Sequence, residues 1–341
     1  MATSSPSSTT SKTPPELHAI QLRHKVAVPT FRTLTEISPC PDRREVLHRA
    51  CQAIEFRSFP MRQTERAFFR HINDHLPIAY PLPATATATI AEPWHKAFLL
   101  VQVEVQRLGW PPKLSAEARR LLLQDRPRIY QLLDRFLRCI VDVLGHRRHG
   151  RGVAVALDVL RSVKAGVWEG AENELLQVEG IGPAKMKRLV DAGVKSIRQL
   201  ARLEFYHIER LLSRNPPFGH QLLHLVSGFP LLNLHFDPIG PYSPPAATSR
   251  PKESLQPLFI VRFIIGYDNE KEPSWKKSPW ITLVVESDTG ELLWFWRGSI
   301  KRLAGGKELI TGLGIQGGKI KVSLACEEIV GTLLRAEYSV S

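Results

Sequence analysis

Residues 176–188 read Leu-Gln-Val-Glu-Gly-Ile-Gly-Pro-Ala-Lys-Met-Lys-Arg, and this stretch predicts a helix, a two-glycine turn and a second helix. Gly180 and Gly182 allow backbone conformations that a side chain disfavours. Pro183 stands where the second helix should begin, because a helix does not use the N–H of its first residue. The valine and isoleucine beside the glycines are suited to fix the turn to a hydrophobic core. The stretch therefore predicts a small helical unit built around this turn.

The start of the second helix is a candidate anion site. Backbone amides around Gly182 and Ala184 would point out of the helix N-terminus, where the helix dipole also favours negative charge. This pattern is typical of a helix-hairpin-helix unit, whose usual ligand is a nucleic-acid phosphate held without regard to base sequence. An alternative is that the turn only packs domains together. The predicted nucleic-acid-binding residues of the turn and its basic continuation are Gly180, Gly182, Ala184, Lys185, Lys187 and Arg188.

The composition favours a polyanionic partner. The chain of 341 residues has 46 Lys and Arg against 33 Asp and Glu, which gives a formal net charge of +13. Nucleic acid is the commonest partner of such a basic chain, although a basic protein can also be merely soluble. A length of 341 residues predicts two or three compact units, and 43% hydrophobic residues are enough for real cores.

The sequence contains no pattern that predicts catalysis, a metal site or a membrane span. Gly305-Gly306-Lys307 resembles the end of a phosphate loop, but the lysine is followed by Glu308 instead of the required Ser or Thr. A turn is therefore favoured over a phosphate loop. No cofactor is expected in this chain, and no apolar run reaches the length of a membrane span. Scattered cysteines without metal-ligand spacing favour reduced thiols in the nucleus or cytosol. They are Cys40, Cys51, Cys139 and Cys326.

The order of segments predicts a multidomain α-then-β chain. Residues 1–30 are expected to be disordered or a remnant of an upstream segment, since they are rich in Ser, Thr and Pro. Residues 31–171 predict a helical bundle, with one helix at 115–124 and a long one at 128–144 opened by Pro127. The helix-hairpin-helix domain is predicted at 172–237, followed by a Pro/Ser-rich linker at 238–257.

The last segment, 258–341, predicts a β-sandwich of the immunoglobulin or fibronectin type. Alternating apolar residues predict strands near 258–267, 280–286, 292–300 and 320–325, with a candidate closing strand at 333–340. Trp294 and Trp296 would lie on one face of a strand and Phe295 on the other. A platform for stacked bases is one interpretation. Core packing combined with an interdomain contact is the favoured one.

Four segments carry a resemblance to a known family: 55–62 (Glu-Phe-Arg-Ser-Phe-Pro-Met-Arg), 137–143 (Leu-Arg-Cys-Ile-Val-Asp-Val), 178–183, and 214–219 (Arg-Asn-Pro-Pro-Phe-Gly). Together with the order of bundle, hairpin and sandwich, they resemble the Sec sixty-three homology domain of Ski-like and Brr-like superfamily-two helicases. The likeness is nearest to the meiotic crossover DNA helicases and covers about residues 31–340. In those helicases two ATP-driven motor domains and a winged helix precede this region, and these are absent from the chain.

The resemblance implies roles for particular residues. The helix at 128–144 resembles the ratchet helix that contacts the translocating single strand in such helicases. Arg128 matches the arginine of archaeal relatives, while Arg135 stands where they have a tryptophan, and an arginine plane can also stack on bases. ATP and magnesium would belong to the missing motor domains. Arg128 and Arg135 are therefore added to the predicted nucleic-acid-binding residues.

The resemblance implies a non-catalytic C-terminal module of a nuclear meiotic DNA helicase. It would bind single-stranded or branched DNA through the ratchet-like helix and the hairpin, and support unwinding during meiotic recombination. Recombination proteins would be candidate partners of the β-sandwich. The alternative is a protein-interaction scaffold, or a regulatory cassette of the spliceosomal RNA-helicase type, without direct nucleic-acid binding. A helix-hairpin-helix glycosylase is disfavoured, because Asp191 heads the next turn instead of standing in a catalytic position.

Overall fold

A computed structural model of the protein describes residues 15–83, 90–242, 258–275, 278–315 and 317–340. Within these ranges the helical part precedes the sheet part. The α-helices are α1 (Pro15–His24), α2 (Val28–Thr35), α3 (Arg43–Cys51), α4 (Gln63–His75), α5 (Pro93–Val105), α6 (Ala116–His146), α7 (Gly150–Ala165), α8 (Pro183–Asp191), α9 (Ile197–Leu200), α10 (Phe205–Leu212) and α11 (Phe218–Ser227). The strands are β1 (Leu232–Tyr242), β2 (Leu258–Tyr267), β3 (Trp280–Ser287), β4 (Leu292–Ser299), β5 (Lys307–Leu313), β6 (Gly318–Cys326) and β7 (Leu334–Val340).

Residues 15–30 include α1 and the start of α2, so the expectation of disorder is wrong for them. Leu17, Ile20 and Val26 are buried in the core of the bundle. The His24 ring lies 2.8 Å from Asp142 of α6, which fixes α1 against that helix. The few apolar residues of α1 find their partners in distant helices, and sequence composition does not register such contacts. Residues 1–14 of the predicted disordered segment lie outside the described residues.

α6 is one continuous helix, although the sequence predicted a break before residue 128. Pro127 lies inside it and removes one backbone hydrogen bond. Pro127 is exposed and Leu123, whose carbonyl loses its donor, is 46% exposed, so water can satisfy that carbonyl. The opposite face buries Ile129, Leu133 and Phe136 completely. Because apolar residues are buried both before and after the proline, α6 stays helical across Pro127.

The bundle core contains a buried ion cluster. The Lys96 ammonium of α5 is fully buried and lies 2.9 Å from Glu65 of α4 and 2.8 Å from Asp125 of α6. Arg62 also contacts both carboxylates. Mutual pairing is what makes such buried charges tolerable. The cluster fixes α4 and α5 against the first half of α6.

Helices α8–α11 and the 3-10 helix Glu174–Gln177 form a second unit, which we call the hairpin unit. Its core is continuous with the core between the two sheets. The expected domain end at 237 and linker from 238 are wrong up to residue 242, because β1 runs through them and pairs with β2. Pro238 and Pro241 hid this strand, and an edge strand tolerates proline. The remaining linker residues, 243–257, lie outside the described residues.

The strands form two antiparallel sheets, ordered β1-β2-β5 and β4-β3-β6-β7. The rings of Trp294 and Phe263 stack at 5.8 Å and join the two sheets. Phe295, on the other face of β4, packs against the helical bundle. The favoured interpretation of these aromatic residues, core packing with an interdomain contact, is confirmed. β5 was missed in the sequence, because a glycine pair precedes it and Ile310 on its outer face is 60% exposed.

The sheets are fixed to the bundle by buried polar contacts. Arg161 of α7 is 2% exposed and donates from Nε to the Cys326 carbonyl at 2.7 Å. Its Nη1 donates to Asp158 at 2.9 Å and to Glu169 at 2.7 Å. The basic loop after α6 also contacts the β3–β4 hairpin, since the Arg148 carbonyl accepts from the amide of residue 292 at 2.7 Å. The bundle and the sheets are therefore held in a fixed arrangement.

Candidate nucleic-acid interface

The turn at 178–183 joins the 3-10 helix Glu174–Gln177 to α8. Val178 and Ile181 are 2% and 5% exposed and anchor it in the core of the hairpin unit. Gly180 has φ +85°, a left-handed conformation that glycine adopts without strain. Gly182 has φ −96° and ψ 177°, which is ordinary extended backbone, so only Gly180 needs to be glycine. Pro183 occupies the first helical position, as predicted.

The solvent side of the 178–183 turn presents backbone rather than side chains. Gly180, Gly182 and Ala184 are all exposed. The first amides of α8 have no acceptor within the helix, as at every helix N-terminus. Lys187, one turn further on, is exposed, and the described part of the chain contains no acidic partner for it. Free amides and one available cation therefore lie at the start of α8.

Two of the three predicted cations of α8 make contacts within the protein. The Lys185 ammonium donates to the Gly180 carbonyl at 2.6 Å and lies 4.4 Å from the Phe218 ring centroid. Partial burial, and to a lesser degree the neighbouring Arg214, lower the pKa of Lys185. Arg188 donates to the Leu212 carbonyl at 3.0 Å. These two side chains tie the turn to the helices that follow it, and Lys187 is the cation that a ligand can reach most directly.

Arg128 and Arg135 lie two turns apart on one face of α6. Arg128 is exposed, whereas Arg135 is half-buried with its guanidinium 5.2 Å from the Phe136 ring centroid. Within the part of the chain that the structure describes, the buried Nε of Arg135 has no hydrogen-bond partner. The main contacts of α6 are with α1, α2, α3 and α7, while those of α8 are within the hairpin unit. The structure thus places the two groups of predicted residues on separate units.

The hairpin unit also carries an aromatic surface that was not predicted from the sequence. Phe205 at the start of α10 stacks on His220 of α11 at 3.8 Å, and its neighbour Tyr206 is 52% exposed. Consecutive Phe-Tyr-His residues at 205–207 were the available signal. In the described ranges no group of His, Cys, Asp and Glu side chains is arranged to hold a metal ion. Nor does any described helix combine the length and apolar character needed to cross a membrane.

Residues 16–330 match the Sec63 Brl domain. The chain belongs to this family. Among relatives of this Sec63 Brl chain is the ATP-dependent DNA helicase MER3 of Saccharomyces cerevisiae, 23% identical over 93% of the chain and 26% of the yeast protein. The probable ATP-dependent DNA helicase HFM1 of Homo sapiens is 22% identical over 64% of the chain and 15% of the human protein.

A further relative belongs to a different class of helicase. The DExH-box ATP-dependent RNA helicase DExH12 of Arabidopsis thaliana is 22% identical over 73% of the chain and 11% of that protein. The Sec63 Brl chain thus spans about a quarter of the yeast relative and less of the others. The family and these relatives make it similar to a helicase-associated module.

Proposed function

We propose that this Sec63 Brl chain binds single-stranded or branched DNA in the nucleus and supports unwinding by a meiotic DNA helicase. ATP and magnesium would be used by the helicase motor and not by the residues described here. The observation that carries the proposal is the exposed backbone at Gly180, Gly182 and Ala184, with the free amides of α8 beside Lys187. The relatives named DNA helicases support the choice of DNA.

The geometry suggests how the module would hold a strand. The amides of Ala184 and its neighbours would donate to a phosphate, and Lys187 would add charge without reading the base. Arg128 and Arg135 on α6 would supply a second contact at a distance from the first. Because Arg161 fixes the bundle to the sheets, and the sheets share a core with the hairpin unit, the two contacts keep a constant spacing. We also assign the two sheets to the immunoglobulin-like type and the hairpin unit to the helix-hairpin-helix type.

The test is binding of fluorescent single-stranded, forked and duplex DNA, followed by anisotropy at several salt concentrations. We expect affinity to fall steeply with salt, since phosphate contacts release counterions. Lys187→Glu should weaken binding and lower the salt slope by about 1. Lys319→Glu, at an exposed lysine of β6, gives the same charge change away from the turn and should have little effect. Equal effects of the two variants would remove the 178–183 turn from the interface.

A second candidate function is a regulatory cassette of an RNA helicase, which the similarity to DExH12 favours. The same titrations with single-stranded RNA distinguish it. Stronger binding of RNA than of DNA would replace the DNA proposal with this one. Absence of binding to either polymer at low salt would leave a protein-interaction scaffold as the explanation, with recombination proteins docking on the sheets.

A further inference from the structure

A groove of about 950 Å³ lies between the end of α5, the first half of α6 and the end of α7. Neither Arg128 nor Arg135 lines it, because they lie on a different side of α6. Its volume is in the range of small-molecule and cofactor sites. The side chains that matter for its chemistry are Arg107, Trp110, Arg119, Arg126, Tyr130 and Lys164.

The cations of this α5–α7 groove differ in how far they are already paired. Arg126 lies 3.0 Å from Glu104, and Lys164 lies 3.2 Å from Asp134. Arg107 donates to the Gly166 carbonyl at 2.8 Å, and this partner is neutral, so the charge of Arg107 is not compensated by it. Arg119 is exposed, and among the described residues it has no acidic partner. Lys164 also lies 3.1 Å from Glu328, so three acidic side chains contact the cations of the groove. Arg119 is left to accept an anion without the loss of an existing ion pair.

The groove also offers flat apolar surface beside these charges. The Trp110 ring packs edge-on against Phe68 at 5.8 Å, which holds its orientation. The Arg119 guanidinium lies over the Trp110 ring, 5.6 Å from the ring centroid, so the cation and one face of the ring point to the same part of the groove. Leu123 on the facing turn of α6 is 46% exposed. An aromatic ring beside an available arginine is the combination that holds a base and its phosphate.

We infer that the α5–α7 groove binds an unpaired nucleotide, with the base against Trp110 and Leu123 and the phosphate on Arg119. The inference deepens the proposed function, because a nucleotide within a DNA strand would be held here in addition to the 178–183 turn. The same chemistry would accept a free nucleotide, so both sources are tested. An acidic peptide could also pair with the arginines, but it would bring no planar group to contact the apolar surface of Trp110 and Leu123.

The experiment uses the full chain and a matched pair of variants. Arg119→Glu and Arg120→Glu make the same charge change at adjacent exposed positions of α6, but only Arg119 lines the groove. The probes are a fluorescent oligothymidylate, the same oligomer with abasic sites, and a fluorescent deoxynucleoside monophosphate. Circular dichroism checks that both variants keep the fold.

We expect Arg119→Glu to weaken binding of the oligothymidylate, the mononucleotide or both by about tenfold, and Arg120→Glu by less than about twofold. Abasic oligomers should bind more weakly than intact ones, and Trp110→Leu should reduce that difference. Equal effects of Arg119→Glu and Arg120→Glu on every probe would overturn the groove. If Lys187→Glu then still weakens DNA binding, the proposed function stands without it. Mononucleotide binding that Arg119→Glu abolishes, with no oligomer binding, would support the groove and refute the proposed function.

Discussion

Arg161→Met should destabilise the protein by about 3 kcal/mol, because it leaves the buried Glu169 carboxylate without its cation. The arginine is almost completely buried and contacts Asp158 at 2.9 Å and Glu169 at 2.7 Å. Removing one partner of a buried ion pair costs about 3–5 kcal/mol. The lower end applies here, since Asp158 keeps Arg335 at 3.2 Å and Arg43 at 3.4 Å. Glu169 loses its cation but keeps the amide of Gly331 as a donor at 3.3 Å.

Urea unfolding followed by tryptophan fluorescence measures the change in the free energy of unfolding. The matched control is Arg43→Met, because Arg43 is 33% exposed, its contact with Asp158 is 3.4 Å long, and its other hydrogen bond is to a neutral acceptor, the Glu169 carbonyl, at 3.0 Å. It should cost less than about 1 kcal/mol. Adding Glu169→Gln to Arg161→Met should recover part of the loss, since the unpaired charge is then gone. A loss below about 1 kcal/mol for Arg161→Met would refute the reasoning.

Two further predictions concern the hairpin unit. Burial raises the pKa of Glu174 from 4.5 to about 7, with nearby Glu169 adding to the rise. The unfolded chain releases this proton at lower pH, so the free energy of unfolding should fall as the pH rises from 4.5 to 7, by at most about 3 kcal/mol. In Glu174→Gln the free energy of unfolding should lack this fall between pH 4.5 and 7. The prediction would be contradicted if the variant and the unsubstituted protein had the same pH dependence. Gly180→Ala should cost about 1–2 kcal/mol because of its left-handed backbone, whereas Gly182→Ala should cost less than about 0.5 kcal/mol. Thermal unfolding of both variants measures the difference, and equal losses would contradict the assignment of strain to residue 180.

The turn at 178–183 was predictable because its determinants are local. A glycine at the left-handed position, a proline at the first helical position and two apolar anchors all lie within six residues. The roles of Lys185 and Arg188 were not predictable, because their partners Phe218 and Leu212 come from later helices. The sequence does not distinguish a basic residue of the first turn that is exposed to solvent from one that contacts a neighbouring helix.

The missed elements share a physical cause. β1 and α1 have weak patterns of their own, and their burial comes from strands and helices distant in sequence. Pro127 is a helix breaker by propensity, but buried residues on both sides keep α6 continuous. The α5–α7 groove could not be read from the sequence either, because Trp110, Arg119 and Lys164 meet only through the packing of three helices.

The common core of the hairpin unit and the sheets has a mechanical consequence. β1 begins shortly after α11, and its antiparallel pairing with β2 extends along almost its whole length. A force on a nucleic-acid strand bound at the 178–183 turn would be transmitted through this core to both sheets. The hairpin unit could therefore not rotate independently of the sheets. The load would then reach α7 through Arg161 and spread over the helical bundle. The chain would then act on the nucleic acid as one rigid body, and not as separate domains joined by flexible linkers.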